Sequence, residues 1–599
     1  MTTPSPETTA GSVVSLAITA NGQPLDSSYQ VVSVDVWDGV NRLPKARLLI
    51  SDGDPAAADF PISDTPGLIP GKTLTIALGY DTQTTTVFSG VIYSQGLEVT
   101  QNGPSRLVVE ATDNAMVMTL ARKNAVFENQ TDSQVIQSLI SAAGLTPKVT
   151  STSSVEPTIV QYYCSDWDLM VMRAQLNAMV VTVGAGTVTV APPDTSTSPV
   201  LTLTYGKSLL DFRAAMDAST QYTASAIKSY AWDPATQAVT ESGQASTDVT
   251  TPGNLTSDQL AAVFGVSAYP QQTAGTLATA DLTEWSSAEL MKACLAKIRG
   301  EARFQGSTLV TPGCMVELAG LGDRFNGNGY VSGLHHRMVD GLWTTAIEIG
   351  LSPNWFAATA SGIAAPGASG QLPPIANLQT GIVVQIADDP DGEFRVLVTL
   401  PLLQAGSAGV WARLGSFYAS NGFGAEFYPE VNDEVVVAFM NGDPRFPVIL
   451  GSLYSKKNPP PVPPAADNDQ KSIVSREKLR LDFYEKDKAV EILTPGNQSI
   501  RLDDNAKTVT IKDMNGNTVT MASGGITLDS NANIALSAKG DITLEAKGNV
   551  SISATANASV EGLQVSATAK TTFSAQGQAE AKLGSSGMAS VQAPLVKIN

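Results

Sequence analysis

Between residues 526 and 552 an apolar-x-apolar triplet returns every eight residues: Ile526-Thr-Leu528, Ile534-Ala-Leu536, Ile542-Thr-Leu544 and Val550-Ser-Ile552. Alternation with a period of two marks a strand with one apolar face, and each copy is too short to bury that face alone. Neighbouring copies must therefore stack, which restricts this part of the chain to an elongated β-solenoid or prism. The eight apolar residues of the strict copies are its candidate core. Less regular copies precede them (Val490-Glu-Ile492, Ile500-Arg-Leu502, Val509-Thr-Ile511, Val519-Thr-Met521). Weaker ones follow (Ala558-Ser-Val560, Leu563-Gln-Val565, Ala581-Lys-Leu583, Ala589-Ser-Val591). From Ser523 to the end, lysines 539, 547, 570, 582 and 597 balance acids 529, 541, 545, 561 and 580, a net of 5 − 5 = 0, and Phe573 is the one aromatic. A slim, neutral rod of this kind is mechanical in character. A floppy low-complexity tail is the competing reading, and strict apolar spacing argues against it.

Two composition shifts divide the 599 residues. Residues 357–374, rich in Ala, Gly, Ser and Pro, cannot form a core and read as a linker; residues 456–470, with five prolines, read as a second, stiffer one. The blocks are thus 1–356, 375–455 and 471–599. In the first, Val31-Val-Ser-Val-Asp-Val36 and Leu74-Thr-Ile-Ala-Leu78 alternate as strands, and Thr131-Asp-Ser-Gln134 is a capping box opening a helix that Gly144 can end. A second helix is expected from Ser286-Ser-Ala-Glu289 to about Arg299. The middle block alternates through Ile382–Ile386, Phe394–Val398 and Val435–Phe439, with turns at Asp389-Pro-Asp-Gly392 and Asn441-Gly-Asp-Pro444, as expected of a small closed barrel. The fold class is mainly β with some α.

Charge and rare residues exclude several functions. Lys plus Arg is 37 against 56 Asp plus Glu, a net of −19, which repels phosphate backbones and anionic lipid heads. No apolar run approaches the ~20 residues of a spanning helix, and Met1-Thr-Thr-Pro-Ser-Pro-Glu lacks the parts of a signal peptide, so synthesis is expected to end in the cytoplasm. Cys164, Cys294 and Cys314 are too far apart for a Cys-x-x-Cys clip and read as reduced core residues. The two histidines, His335 and His336, are neighbours on a strand; they point to opposite faces and cannot chelate one ion together.

Other motifs fail on detail. Gly206-Lys-Ser208 and Gly71-Lys-Thr73 have Leu201 and Pro66 where a phosphate loop needs glycine. Asp513-Met-Asn-Gly-Asn517 begins like a calcium loop but has Thr518 at the glycine position, and Gly524-Gly-Ile-Thr-Leu-Asp529 lacks the third glycine of a calcium nonapeptide. All four read as turns. Asp433 with Glu434 could suggest a glycosidase pair, yet strand neighbours diverge. No catalytic, cofactor or metal residue is assigned.

The middle block ends Phe427-Tyr-Pro-Glu-Val-Asn-Asp-Glu-Val-Val-Val-Ala-Phe-Met-Asn-Gly-Asp-Pro-Arg-Phe-Pro-Val-Ile-Leu-Gly-Ser-Leu-Tyr454. This resembles the oligonucleotide/oligosaccharide-binding (OB) fold domain of VgrG-like central spike proteins of contractile injection systems, the relatives found in type VI secretion spikes, phage hub-spike fusions and phage-tail-like particles. Asn432 stands where that family usually has Gly, a change Asn tolerates in a turn. Gly381-Ile-Val, Arg395-Val and Val410-Trp-Ala-Arg413 also match. The first block is similar to the family's hub through Pro70–Tyr80, Val87–Gly90, Ala111-Thr-Asp113, Tyr163–Asp168, Gly329-Tyr-Val and His335-His-Arg, and the last block to its triple-stranded β-helix needle.

The resemblance implies a homotrimer in which the eight repeat residues above make the trimerisation contacts. It implies a hub of β-barrel-like domains capping the inner tube and meeting baseplate components. At the far end a PAAR-type tip protein would sit on Leu595, Val596, Ile598 and Asn599. An effector is a possible cargo, nucleic acid is not a partner, and a target membrane is touched only on puncture. Because the chain stops at Asn599, no fused effector is expected, so the spike reads as non-enzymatic. Assembly in a tail-like particle, released or ejected into a target, completes the expectation, and the opening Val31–Asp38 and Asn41-Arg-Leu-Pro44 look more like spikes of extracellular particles. The rivals are a tail-associated glycan-cleaving enzyme and an OB protein that binds nucleic acid, the latter opposed by the charge of −19.

Overall fold

The computed structural model describes residues 4–6, 13–101, 103–403 and 408–598, and the chain divides into two units, 1–453 and 454–599. In the first unit the alternating runs form strands as their pattern requires. Along Lys45–Ser51 and Thr73–Tyr80 every second residue is buried, among them Leu48, Ile50, Leu74 and Ile76. These strands belong to a thirteen-stranded sheet. Its junction is Gly327–Val339, antiparallel both to the hairpin partner Leu342–Ile349 and to Val31–Gly39, so the sheet joins residues three hundred positions apart. One core lies under the N-terminal strands around Val34, Leu48, Ile76 and Leu107, and another around Leu203, Phe304, Val331 and Ile347.

Helices cover a third core. The capping box forms as spelled, Thr131 Oγ1 accepting from Gln134 N–H and Gln134 Oε1 from Thr131 N–H, and opens Asp132–Ala142. Gly144 follows with φ +73°, the left-handed turn that ends it. The second expected helix is displaced: it runs Thr279–Leu295. Its start carries no side-chain cap to read in the sequence, and Ser286 is an interior residue whose hydroxyl lies 2.7 Å from that of Ser229. Its end comes early because Ile298–Gln305 is taken by the sheet, paired with Leu342–Ile349.

Residues 357–374 form no core of their own, but both of their neighbours hold them. Arg122 donates to the carbonyls of Gly362 and Ala364, and Arg445 to Gln371 Oε1 at 2.9 Å. Beyond them Gln379–Gln385, Val396–Thr399, Val410–Leu414, Pro447–Ser452 and Glu434–Phe439 close into a five-stranded barrel. Val383, Val396, Val398, Val435, Val437 and Ile449 fill its interior. Asn432 holds φ +73°, the left-handed conformation that explains why Gly or Asn is wanted there, and donates its N–H to Val383 O at 2.8 Å. In the loop before the second barrel strand, Asp389 accepts a fork of bonds from Arg395, which holds the carboxyl well below the usual carboxylate range.

The second unit opens with seven strands in simple sequence order, each antiparallel to the next, from Gln470–Val474 to Gly525–Asp529. Glycine, asparagine and lysine at positive φ make the turns, for instance Lys488, Asn497 and Lys507. Among the described residues no strand pairing extends past Asp529; the chain to residue 598 is extended and broken by bends.

Candidate assembly surface

Register decides what this meander can do. Leu481 pairs with Ile492, Ile492 with Ile500, Ile500 with Ile511, Ile511 with Val519 and Val519 with Leu528. Beside that row runs a second one: Phe483–Val490–Leu502–Val509–Met521–Ile526. The irregular triplets of the sequence thus become two unbroken apolar ladders on one face of the sheet, set side by side because successive residues of a strand alternate faces. The face is uncovered: Ile492, Ile500, Leu502, Ile511, Met521, Ile526 and Leu528 are all exposed. An exposed apolar surface of this continuity marks an interaction site.

The opposite face carries charge. Asp482, with Arg480 and Tyr484 on either side of it along its strand, sits across from Glu491, which sits across from Arg501, with Asp503 two residues further on. Asp482 is fully buried; burial by itself would raise its carboxyl, but bonds from Arg480 at 3.0 Å and from Ser472 outweigh that and leave it below its ordinary value. Arg501 bonds Asp503 at 2.8 Å and lies over the Tyr484 ring at 5.0 Å. Sequence reading by triplets missed Leu481-Asp-Phe483 and this charged network. The signal was available in Arg480-Leu-Asp482 and Arg501-Leu-Asp503, where charges alternate with the apolar residues.

Of the eight candidate needle residues, Ile526 and Leu528 lie on the last paired strand, opposite Met521 and Val519. Ile534, Leu536, Ile542, Leu544, Val550 and Ile552 lie beyond it on extended backbone, all exposed in the single chain. Bends at 531–532, 539–540, 547–548 and 555–556 keep the eight-residue step. The next bends fall at 563 and 570–571 and then at 578–579 and 586–587, so the step shortens once near Gly562. The apolar residues follow the shift: Val565-Ser-Ala567, Phe573-Ser-Ala575, Ala581-Lys-Leu583 and Ala589-Ser-Val591 restore a spacing of eight in a new phase. Leu595, Val596 and Ile598 are exposed, and Asn599 lies outside the described residues.

Residues weighed for chemistry have structural partners. His335 Nε2 is 2.8 Å from Asp35 Oδ1, whereas His336 faces inward, 2.9 Å from Thr345 Oγ1, and burial lowers its imidazole to about 3. Asp433 Oδ2 accepts the Glu430 N–H at 2.9 Å. Asp513 folds its loop upon itself, accepting from the N–H groups of Asn515 and Asn517 at 2.9 and 2.8 Å and from the Asn517 side chain at 2.8 Å. Gly71 and Gly206 sit at positive φ in turns.

Two family models match parts of the chain. Residues 10–340 match the family described as Alg8 N-terminal domain, and residues 379–454 the type VI secretion system/phage-baseplate injector OB domain. The chain is 41% identical over 51 residues to the type VI secretion system spike protein VgrG4b of Pseudomonas aeruginosa, covering 8% of this chain and 6% of that one. It is 26% identical over 191 residues to VgrG1b of the same organism, covering 30% and 25%. These matches thus span a quarter or less of the relatives' length. Among solved structures, the tail protein from Neisseria meningitidis aligns at a TM-score of 0.43 and 12% identity, covering 57% of this chain and 98% of that one. The chain belongs to the Alg8 N-terminal-domain family and, through its injector OB domain, is a VgrG-like protein.

Proposed function

We propose that three copies of this chain form the hub and spike of a contractile injection machine, without enzymatic activity of their own. The observation that carries this reading is the pair of uncovered apolar ladders from Leu481 to Leu528, continued at eight-residue steps by Ile534 to Ile552 on backbone that has no strand partner among the described residues. Unpaired extended backbone and a bare apolar stripe have one joint remedy, pairing with further copies of the same segment. Three copies enclose a dry axis with Ile, Leu and Val inside and the Arg–Asp network outside. In such a layered stack each layer is bonded to the next, so axial load is spread along the ladder.

On this reading the hub caps the inner tube and meets the baseplate, the barrels form a collar, and Leu595, Val596 and Ile598 seat a PAAR-type tip. Contraction of a sheath would drive the assembly through a target envelope, and the assembly would reside in a particle built from cytoplasmic parts. Native mass spectrometry of the purified chain tests the core of the proposal: a trimer mass is expected, and a monomer at micromolar concentration would overturn it. Incubation with peptidoglycan separates the enzymatic rival, since the spike releases no fragments.

A further inference from the structure

Seven Asn-Gly pairs occur in the sequence, at Asn21, Asn102, Asn326, Asn328, Asn421, Asn441 and Asn515. Glycine has no side chain to shield its backbone nitrogen from the amide carbon of a preceding asparagine. Whether the two meet depends on what holds each pair. Asn102 lies outside the described residues.

Five of the described pairs are held. Gly327 and Gly329 sit on the strand Gly327–Val339, paired with Leu318 and Val316, and Asn326 Oδ1 accepts the Leu321 N–H at 2.8 Å. Asn441 is in the left-handed region at φ +51°, and Gly442 O accepts the Ile375 N–H at 2.8 Å. Asn515 donates through its N–H and its side chain to the Asp513 carboxylate, and Gly516 N–H to Asp513 O. Asn21 donates its N–H to Thr73 O at 2.8 Å, in a turn whose flanking residues Ala20 and Gln23 pair with each other.

Asn421 differs. It and Gly422 are exposed, and among the described residues no hydrogen bond engages the Asn421 N–H, the Asn421 side chain or the Gly422 N–H. Gly422 has φ +80° and open space where a Cβ would stand. The arms on either side are fixed: Ser420 N–H donates to Phe423 O at 3.0 Å, Ala425 N–H to Tyr418 O at 2.8 Å and Ser416 Oγ to Ala425 O at 2.8 Å. The pair is the unbonded tip of an ordered hairpin between the barrel strands Val410–Leu414 and Glu434–Phe439.

We propose that Asn421 is a site of spontaneous deamidation. The Gly422 nitrogen gives its proton to solvent and attacks Asn421 Cγ; the Cγ–Nδ2 bond breaks, ammonia leaves and a succinimide ring closes. Water then adds to either ring carbonyl and opens the ring to aspartate or isoaspartate. The sum is asparagine plus water giving acid plus ammonia, with nothing oxidised or reduced. Isoaspartate places an extra methylene in the main chain, so the Ser420–Phe423 bond, the Ala419–Gly424 bridge and the Tyr418–Phe423 ring contact at 6.0 Å lose their register. Conversion therefore adds a negative charge to a hairpin that exposes Phe417 and Phe423, and reshapes it. The proposal does not rest on the spike reading.

The test incubates the native full chain in mildly alkaline buffer made with heavy-oxygen water and maps its peptides by mass spectrometry, using electron-transfer fragmentation to tell isoaspartate from aspartate. Conversion at Asn421, with uptake of the heavy oxygen, is expected to run about tenfold or more faster than at Asn326, Asn328, Asn441 or Asn515, the factor set by the hydrogen bonds that those pairs must first open. In urea, where the bonds are gone, the described pairs should convert at similar rates. Asn421→Gln should leave this peptide unchanged, because its longer side chain would have to close a larger ring. Conversion of any other described pair as fast as Asn421 in the native chain, persistence of the native ranking in urea, or the same mass shift in Asn421→Gln would overturn the proposal.

Discussion

Substituting Ile542→Asp probes the assembly directly, because Ile542 belongs to a strict repeat and is exposed on extended backbone in the single chain. It is 55% exposed in one chain. Complete burial of an isoleucine is worth about 1.5–3 kcal/mol, so removing the remaining exposure contributes roughly 1–1.5 kcal/mol per chain. An aspartate at the same place forfeits that gain and adds a carboxylate whose desolvation costs about 2–3 kcal/mol more, even with partial access to water. Because the position recurs three times at one level of a trimer, the total is on the order of 10 kcal/mol, or about seven decades in the association constant. Light scattering on the eluting full chain should therefore give a monomer mass for Ile542→Asp at concentrations where the parent is trimeric. Thr543→Asp, one residue along and on the other face, should stay trimeric, its cost being within about 0.5 kcal/mol per chain. If Ile542→Asp eluted as a normal trimer, or Thr543→Asp dissociated as readily, the facial argument would be wrong.

Three further outcomes follow from the hub, barrel and meander. Asn432→Val forces a β-branched residue to φ +73° and should destabilise the barrel by about 1–2 kcal/mol in calorimetry, whereas Asn432→Gly should be neutral. Asp38 has a folded carboxyl raised to about 7, so the folded hub binds the extra proton and its stability should fall as pH rises from about 4 to about 7; Asp38→Asn should flatten that limb in denaturant titrations. Asp482 has the opposite sign: its carboxyl is lowered, its contribution is complete above the ordinary value of about 4 and is lost as pH falls, so Asp482→Asn should remove part of the acid sensitivity of the trimer.

Where local chemistry alone dictated the outcome, the sequence was legible. Thr131 and Gln134 spelled a capping box that forms, and the barrel strands followed their alternation, since Val435 and Val437 must face inward together. The start of the helix at Thr279 was hidden because Ala278 caps nothing, and its end was hidden because the ladder from Ile298 to Gln305 prevails over helical propensity. A strand pairing between Val31–Gly39 and Gly327–Val339 leaves no local trace at all, and with it the ion pair that Arg42 makes with Glu348 over Gly39 and Gly333 was out of reach.

The repeat shows the same limit from the other side. Period-two and period-eight spacing is a property of one chain, so the triplets from Val490 to Ile552 could be found by counting, and the meander register sets the earlier ones, Val490 to Leu528, in line. On the trimer reading, what completes their burial belongs to other copies. Within one chain Ile500, Ile511 and Leu528 line up yet stay exposed, and no ladder continues beyond Asp529 among the described residues. The sequence keeps its apolar rhythm for about sixty residues beyond Asp529, where pairing stops among the described residues, and resumes it in a new phase after Gly562, a pattern that its own fold does not use. Because the apolar stripe recurs in every copy, the simplest partner that satisfies both the stripe and the unpaired backbone is the chain itself.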